Sequence, residues 1–175
     1  MNSYTEKNEA CQSCEFDDNL RILRETRFFS GLSLEALKVL AYLCTRETFK
    51  PDDYLFSQDD DDGRAFYFVS GKAKLTHRHD SGEMDIRNFE KEDFLGGLVL
   101  MGHMRRLFSL KALTETTCVI LTRDKFTKVM EQFPEQMPKV LKSLIESLRI
   151  WEQHFLSDPD KCCETCLYKI GVSLV

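Results

Sequence analysis

Ala65-Phe-Tyr-Phe-Val-Ser-Gly-Lys-Ala-Lys-Leu-Thr-His77 is the stretch that decides the fold of this chain. Two runs of residues that favour strands flank the Ser70–Gly71 pair, and glycine readily adopts the backbone angles of a tight turn. The stretch therefore predicts an antiparallel hairpin whose two strands are Ala65–Val69 and Ala73–His77.

More strand-like runs lie on both sides of this hairpin, and turn residues separate them. These runs are Thr48–Phe49, Tyr54–Phe56, Met84–Phe89, Phe108–Leu110 and Thr117–Leu121. Short strands at such regular spacing are typical of a small barrel or jelly roll. We predict an antiparallel β jelly roll, a double-stranded β-helix, over about residues 45–122.

Helical periodicity flanks the predicted roll. Residues 19–29 predict a short helix, and Ser33 is placed to cap a second one. After the roll, Asp124–Gln132 predicts a helix that Phe133–Pro134 interrupts, and a longer helix follows over about 134–156. The fold class is therefore α+β, with N-terminal helices and a long C-terminal helix.

The long C-terminal helix carries an apolar stripe whose spacing alternates between four and three residues. This spacing matches the a and d positions of a coiled coil. The stripe consists of Met137, Leu141, Leu144, Leu148, Trp151 and Phe155. It packs either on the roll of its own chain or on a second copy. We favour a homodimer, because Val140 and Ile145 supply a separate apolar edge for the roll.

A glycine-rich turn and a pair of arginines predict an anion site at the end of the roll. Gly96 and Gly97 lie between two apolar, strand-like runs, and Arg105 and Arg106 follow in the same segment. Glycine turns let backbone N–H groups close on an anion, and arginine supplies a bidentate counter-charge. Either arginine is placed to hold the anion.

These features together resemble the cyclic nucleotide-binding domain of catabolite-activator-type regulators. The resemblance covers about residues 28–155. It rests on the helical entry FFSGLSLEALKVLAYLC, the segment FKPDDYLFSQD, the hairpin FYFVSGKAKL with Gly71 at its turn, and EKEDFLGGL before the phosphate-binding cassette. It implies a roll that holds a small anion next to the long helix, which passes the signal on.

The resemblance also implies roles for individual residues. The family's cassette has a glycine, a glutamate that binds the ribose hydroxyl group, and an arginine followed by small residues that hold the cyclic phosphate. Gly96 and Arg106 match the glycine and the arginine, whereas Gly97 replaces the glutamate. Leu107 takes the place of a small residue, and Ser109 lies just beyond. We therefore expect a degenerate or repurposed pocket, for a cyclic nucleotide or another small anion.

The long helix completes the expected site. In the family, polar side chains on this helix approach the base, and Trp151 and Glu152 lie at the corresponding positions. Trp151 either stacks on a purine or packs in the apolar stripe, and both interpretations stay open. The candidate ligand-binding residues are Gly96, Gly97, Leu98, Arg105, Arg106, Leu107, Ser109, Trp151 and Glu152.

Cysteine pairs near the two ends predict a second kind of site. One pair lies in a polar leader over residues 1–18 and another in a tail over residues 157–175. If the ends meet, two such pairs can hold zinc or an iron–sulfur cluster; the alternatives are free thiols and a reversible disulfide. The candidate ligands are Cys11, Cys14, Cys162, Cys163 and Cys166. Cys44 and Cys118 lie within apolar patterns and are expected in the core.

Two further polar clusters lie at predicted turns. His77 and His79 share a strand face, but no third metal ligand is evident from the sequence, which favours an exposed hairpin end. The Asp59–Asp62 run has the charge of a calcium loop without its spaced ligands and closing glutamate. It predicts a solvated turn.

Composition narrows the classes of function. With 24 basic and 29 acidic residues the net charge is −5, and no long cationic block is present, which argues against generic nucleic-acid binding. The N-terminal residues do not resemble a secretion signal, and the apolar runs are far shorter than a membrane span, so we expect a cytoplasmic protein. Residues 157–175 are too few for a helix-turn-helix domain, so direct DNA binding is not expected.

The sequence shows no nucleophile–base pair, carboxylate dyad or catalytic metal signature, so an enzyme is not expected. We predict a stand-alone regulatory or sensor module formed by residues 19–156. It binds a small anion and signals to an unidentified protein partner through its dimerising helix. The alternative is a redox- or metal-linked assembly protein with a vestigial nucleotide pocket.

Overall fold

Two α-helices and a short 3-10 helix precede the first strand. The computed structural model describes the backbone of residues 3–79 and 82–157, and the side chains of 14–79, 82–150 and 153. The helices are α1 (Ser3–Glu25), a 3-10 helix (Arg27–Phe29) and α2 (Leu34–Leu43). The helix expected from residue 19 begins at Ser3, because the polar segment before it contains no glycine or proline to interrupt a helix.

The middle of the described chain forms two antiparallel sheets that face each other as a roll. One sheet has the strand order β1-β8-β3-β6 and the other β2-β7-β4-β5. The strands are β1 (Thr45–Phe49), β2 (Tyr54–Phe56), β3 (Arg64–Ser70), β4 (Lys72–His79), β5 (Gly82–Glu90), β6 (Phe94–Leu95), β7 (Ser109–Ala112) and β8 (Thr116–Thr122). The predicted α+β fold with an antiparallel β-roll is confirmed.

The segment between β6 and β7 departs from the prediction. The apolar run after Gly97 was described as strand-like, but it belongs to a short helix, α3, over Gly97–Met101. Gly96 has φ = 99°, a left-handed conformation that ends β6 and turns the chain into this helix. A short apolar run does not distinguish a strand from a buried helical turn, which explains the error.

Three helical segments follow the roll. They are α4 (Arg123–Gln132), a 3-10 helix (Pro134–Gln136) and α5 (Met137–Ser157). The predicted break at Phe133–Pro134 is confirmed, but α5 starts at Met137 because Pro134 begins the 3-10 turn instead. Pro138 lies in the first turn of α5, where no backbone donor is needed. None of the described helices has the length and apolarity needed to cross a membrane.

The core consists of two hydrophobic clusters. The helical cluster joins α1, α2, α4 and α5 and includes Phe29, Leu40 and Phe126. The roll cluster lies between the sheets, where the rings of Phe68 and Phe89 stack with their centroids 5.6 Å apart. The expected core cysteines follow this division: Cys118 is buried in the roll cluster, and half-buried Cys44 packs against the helical one.

The two faces of α5 differ from the predicted assignment. Leu144 was placed in the dimer stripe, yet it is 4% exposed and packs with Val140 in the helical cluster. Ile145 was placed on the roll side, yet it is 55% exposed, beside Leu141 at 51%. Residues four apart share a helix face, so the exposed stripe runs through Met137, Leu141 and Ile145. Leu148 is half-buried, and the side chains of Trp151 and Phe155 lie outside the described residues.

Candidate functional site

Arg106 lies inside the molecule, in the segment between α3 and β7. We call residues 102–108 the arginine loop and residues 57–63, between β2 and β3, the acidic loop. The two loops pair through their main chains: Arg106 N–H donates to the Asp60 carbonyl oxygen and Asp59 N–H donates to the Arg106 carbonyl oxygen, both at 2.8 Å. This pairing holds the acidic loop against the base of the Arg106 side chain, which is 5% exposed.

The guanidinium group of Arg106 is matched by groups of its own chain. Its Nε donates to Asp62 Oδ1 at 2.8 Å, and a terminal nitrogen donates to the carbonyl oxygen of Arg64. The guanidinium carbon also lies 4.0 Å from the centroid of the Phe56 ring, a cation–π contact. Burial lowers the pKa of Arg106, and the hydrogen bond that Arg106 donates to Asp62 opposes that change.

Asp62 bridges two arginines. Its Oδ2 accepts a hydrogen bond from Arg64 Nε at 3.2 Å while its Oδ1 accepts from Arg106. The acidic run was expected to be a solvated turn, but the side chain of Asp62 is only 13% exposed. Two guanidinium groups that donate to one carboxylate form charge-assisted hydrogen bonds with it. Here the carboxylate is the protein's own Asp62.

Asp61 fastens the outer side of the acidic loop. One of its oxygens accepts from Arg123, and the other lies 2.8 Å from His103 Nδ1. The hydrogen bond from Arg123, followed by that from His103, lowers the pKa of Asp61 to about 2. Arg123 also donates from Nε to the Val99 carbonyl oxygen at 2.7 Å. The acidic loop is thereby tied to both α3 and the start of α4.

Gly96 and Gly97 lie next to the side chain of Arg106 and leave room for it. A Cβ atom at Gly96 would lie 2.9 Å from the Arg64 carbonyl oxygen and 3.4 Å from a terminal nitrogen of Arg106. Only glycine fits there, because the φ of 99° is also strained for other residues. Gly97 is buried at the start of α3, and Leu98 packs against the helical cluster instead of lining a pocket.

The cavity next to Arg106 is very small. Its volume is about 10 Å³, and its lining residues are Phe56, Leu95, Val99, Met104, Arg105, Arg106, Leu107 and Phe108. A volume of this size holds about one water molecule, whereas ligand pockets usually measure about 300–1,000 Å³. The side chain of Phe108 fills the roll cluster, and that of Leu107 is largely exposed.

The predicted pocket residues are therefore only partly brought together. Arg105, Arg106 and Leu107 line the small cavity, with Arg106 pointing inward and Arg105 exposed. Ser109 instead fixes the acidic loop, since its Oγ accepts from Gln58 N–H at 2.9 Å. Sequence reasoning missed Asp62 as the partner of Arg106; the only available signal was an aspartate run preceding an arginine-bearing segment.

Several predicted residues lie beyond what the structure describes. The side chains of Trp151, Glu152 and Cys11 are outside the described set, as are Cys162, Cys163 and Cys166. Cys14 is exposed on α1. Within the described residues, no three His, Cys, Asp or Glu side chains come together as a metal-binding group. The zinc or iron–sulfur site at the chain ends stays a prediction.

Comparison with known proteins gives a consistent family. The model of the cyclic nucleotide-binding domain matches residues 46–133. A cyclic nucleotide-binding-like protein from Brucella abortus is 28% identical, with a TM-score of 0.60, covering 65% of this chain and 98% of that one. No curated protein gives a match.

Two further solved structures share the fold. The N-terminal domain of a transcriptional regulator from Streptomyces coelicolor is 24% identical with a TM-score of 0.67, over 77% of this chain and 94% of that one. Catabolite Activator Protein from Thermus thermophilus is 20% identical with a TM-score of 0.62, over 77% of this chain and 62% of that one.

Proposed function

Because this chain belongs to the cyclic nucleotide-binding domain family, whose domains are typically non-catalytic regulatory modules, we propose that it is a regulatory module closed to cyclic nucleotides. Its own Asp62 takes the place of the ligand phosphate, and its signal passes through the exposed face of α5. The observation that carries this proposal is the bridge that the half-buried Asp62 forms between Arg64 and the buried Arg106.

Electrostatics supports closure of the site. A cyclic phosphate that bound Arg106 would have to displace Asp62 and leave a carboxylate without one of its two guanidinium partners. Breaking a buried ion pair in this way costs about 3–5 kcal/mol. Gly97 also lacks the carboxylate that the family uses for the ribose, worth about 1.5–3 kcal/mol. Since about 1.4 kcal/mol is a tenfold change, these losses remove several orders of magnitude of affinity.

Steric fit supports the same conclusion. The cavity of about 10 Å³ beside Arg106 leaves no room for a sugar or a base. Phe108 lies within the roll cluster, so a ligand would have to displace a core aromatic ring to enlarge the cavity. Such a displacement would cost packing as well as ion pairing.

The exposed stripe of α5 supports signalling by association. Met137, Leu141 and Ile145 place three large apolar side chains on one face, while Val140 and Leu144 hold the opposite edge of the helix to the core. A second copy presents the same stripe, so a two-fold symmetric pair would cover both. The regulatory module therefore acts as a homodimer through α5.

Calorimetric titration with cyclic AMP and cyclic GMP tests the closed site. We expect no saturable heat from the wild-type chain with either nucleotide. Saturable binding that disappears in Arg106→Lys, with the variant still folded by circular dichroism, would show that the arginine site is open to nucleotides and would refute the proposal.

Light scattering coupled to gel filtration tests the α5 pairing. The wild-type chain should have the mass of a dimer, and Leu141→Asp combined with Ile145→Asp should have that of a monomer. Lys142→Asp, which adds the same charge at an exposed polar position of α5, should remain dimeric. A monomeric wild-type chain, or a double variant that stays dimeric, would contradict pairing through this stripe.

A further inference from the structure

A second cavity lies on the outer face of the sheet β2-β7-β4-β5. Its volume is about 540 Å³, within the range of about 300–1,000 Å³ that small-molecule sites usually have. It shares no lining residue with the small cavity beside Arg106. The described part of the domain therefore has room for a small molecule at a place that does not depend on whether the Arg106 site is closed.

Strand alternation places side chains from all four strands of this sheet on its outer face. Tyr54 on β2 and Ser109 on β7 each directly precede a leucine that is buried in the roll cluster, so both point outward. Arg78 lies three positions after the buried Leu75 on β4, which also turns it outward. Glu83 on β5 is directly opposite Arg78, and opposed residues share a face. All four outward side chains line the cavity.

The side chain of Gln58 holds one wall of the cavity in place. The Arg78 N–H donates to Gln58 Oε1 at 2.9 Å, and Gln58 Nε2 donates to the Arg78 carbonyl oxygen at 3.4 Å. The Gln58 N–H also donates to Ser109 Oγ. The start of the acidic loop is thereby fixed against β4 and β7. Because the cavity is formed in advance, a ligand loses little free energy in ordering it.

Arg78 and Glu83 carry opposite charges at opposed positions, yet they do not form an ion pair with each other. Neither forms an ion pair with any other side chain in the described part of the chain. Lys74 and Lys111, which lie on the same face, are in contrast paired with aspartates at 2.8 Å and 2.7 Å. Among the described lining residues, one cation and one anion are therefore left to pair with a ligand.

We infer that this cavity binds a free aromatic α-amino acid. The α-carboxylate pairs with Arg78, whose guanidinium group can donate two parallel hydrogen bonds to it, and the α-ammonium group pairs with Glu83. Both charges of such a ligand are attached to one carbon atom, which matches a cation and an anion held on adjacent strands. Glu83 would repel a purely anionic ligand, and Arg78 a purely cationic one. His79 and Gly82 complete the wall at the end of the hairpin and are given no role in binding.

Tyr54 favours an aromatic side chain on the ligand. Tyr54 is 51% exposed, although Lys111 Nζ lies 5.7 Å from the centroid of its ring. An aromatic ring of the ligand would cover the exposed part of Tyr54 and gain an edge-to-face or offset-stacked contact. Ser109 Oγ accepts from Gln58 N–H and so keeps its own hydrogen atom, which it can donate to the ligand carboxylate.

A bound amino acid would act on the acidic loop. Ser57 and Gln58, the first two residues of that loop, line the cavity. Asp62, further along the same loop, bridges Arg64 and Arg106. The ligand would therefore hold the loop that closes the Arg106 site. This link to regulation rests on the proposed function, whereas the binding site itself does not.

Titration of the full chain with L-phenylalanine, measured by calorimetry, tests the inference. We expect saturable binding with a Kd of about 1 mM or tighter. N-acetyl-L-phenylalanine lacks the ammonium charge and L-phenylalaninamide lacks the carboxylate, so each should bind about tenfold or more weakly. Absence of saturable L-phenylalanine binding, or equal binding of either derivative, would overturn the inference.

Variants locate the binding in this cavity. Arg78→Gln and Glu83→Gln should each weaken L-phenylalanine binding by about tenfold or more, because each removes one of the two pairing charges. Lys72→Gln removes a charge at the other end of β4, where Lys72 pairs with Glu90, and should bind as the wild-type chain does. Unchanged affinity in either cavity variant would overturn the proposal.

One further variant separates this site from the Arg106 site. L-phenylalanine binding should persist in Arg106→Lys, because Arg106 lines the other cavity. Loss of binding in that variant, with the chain still folded by circular dichroism, would place the amino acid beside Arg106 and overturn the assignment. The titrations of the unmodified chain with the three ligands decide the matter if a variant fails to fold.

Discussion

At the arginine loop a buried cation is paired within the chain, whereas on α5 three large apolar side chains remain exposed. Arg106 is hydrogen-bonded to Asp62 and to the Arg64 carbonyl oxygen and stacks on Phe56. Leu141 and Ile145, in contrast, are more than half exposed. In the described part of this domain the guanidinium group of Arg106 has partners within the chain, whereas the apolar stripe of α5 does not, which is why we propose α5 as the surface that binds a second copy.

Arg106→Ala should give the largest effect. It removes the buried guanidinium group and leaves the half-buried Asp62 with Arg64 alone, so the free energy of unfolding should fall by up to about 3–5 kcal/mol. Urea denaturation followed by circular dichroism measures the change. Lys74→Ala is the matched control, because its pair with Asp85 is exposed and worth about 0–1 kcal/mol. Equal losses in the two variants would mean that the Arg106 pair is not a buried one.

Two leucines three residues apart on α5 sharpen the contrast between its faces. Leu144→Ala removes a core side chain and should lower the free energy of unfolding by about 2–5 kcal/mol. Leu141→Ala removes an exposed one and should change the stability of the dilute, monomeric chain by about 0.5 kcal/mol or less. Urea denaturation of both variants distinguishes the faces; similarly small losses in both would restore the original heptad assignment, in which the two leucines share one stripe.

The reactivity of the cysteine thiols offers a chemical comparison between the interior of the domain and its surface. Burial raises the pKa of the Cys118 thiol to about 12 and that of Cys44 to about 12, so neither forms much thiolate at pH 8. Cys14 is exposed. Brief iodoacetamide treatment followed by peptide mass spectrometry should find Cys14 alkylated and Cys44 and Cys118 intact. Rapid labelling of Cys118 would show that the roll opens readily.

The smallest expected effect concerns Asp61 at the outer side of the acidic loop. Arg123 and His103 depress the pKa of its carboxyl group from 3.8 to about 2. A carboxyl group whose pKa is lower in the folded state stabilises that state at pH values above its pKa in the unfolded chain. This stabilisation is lost as the pH falls through its pKa in the folded state. The stability difference between the wild-type chain and Asp61→Asn should therefore be constant above about pH 4 and vanish toward pH 2. Denaturation at a series of pH values measures it, and a difference that persists at pH 2 would exclude the ion pair.

The roll was predictable because its information is local. Alternating apolar residues and turn residues such as Gly71 mark its strands, and the glycine–arginine segment marks the site. The pairing of Arg106 with Asp62 was not predictable from the sequence, because the two residues are 44 positions apart. In addition, a run of aspartates usually indicates a solvated turn. Only the fold brings their loops together.

The sequence also did not predict which face of α5 packs against the core. A heptad pattern gives a stripe but does not say which edge of it faces the chain's own core. That choice depends on tertiary contacts such as the hydrogen bond from Ser33 N–H to Gln136 Oε1, 2.9 Å long, which anchors the turn before α5. In the helix that follows this anchor, Leu144 faces inward and Ile145 lies outside.

Nuclear magnetic resonance of the arginine side chains tests the closed site most directly. The Nε–H signal of Arg106, assigned by its loss in Arg106→Lys, reports on the hydrogen bond to Asp62. We expect this signal to be protected from solvent exchange and to stay in place when millimolar cyclic AMP is added. A signal that exchanges rapidly, or that shifts saturably with the nucleotide, would contradict the claim that Asp62 holds the site.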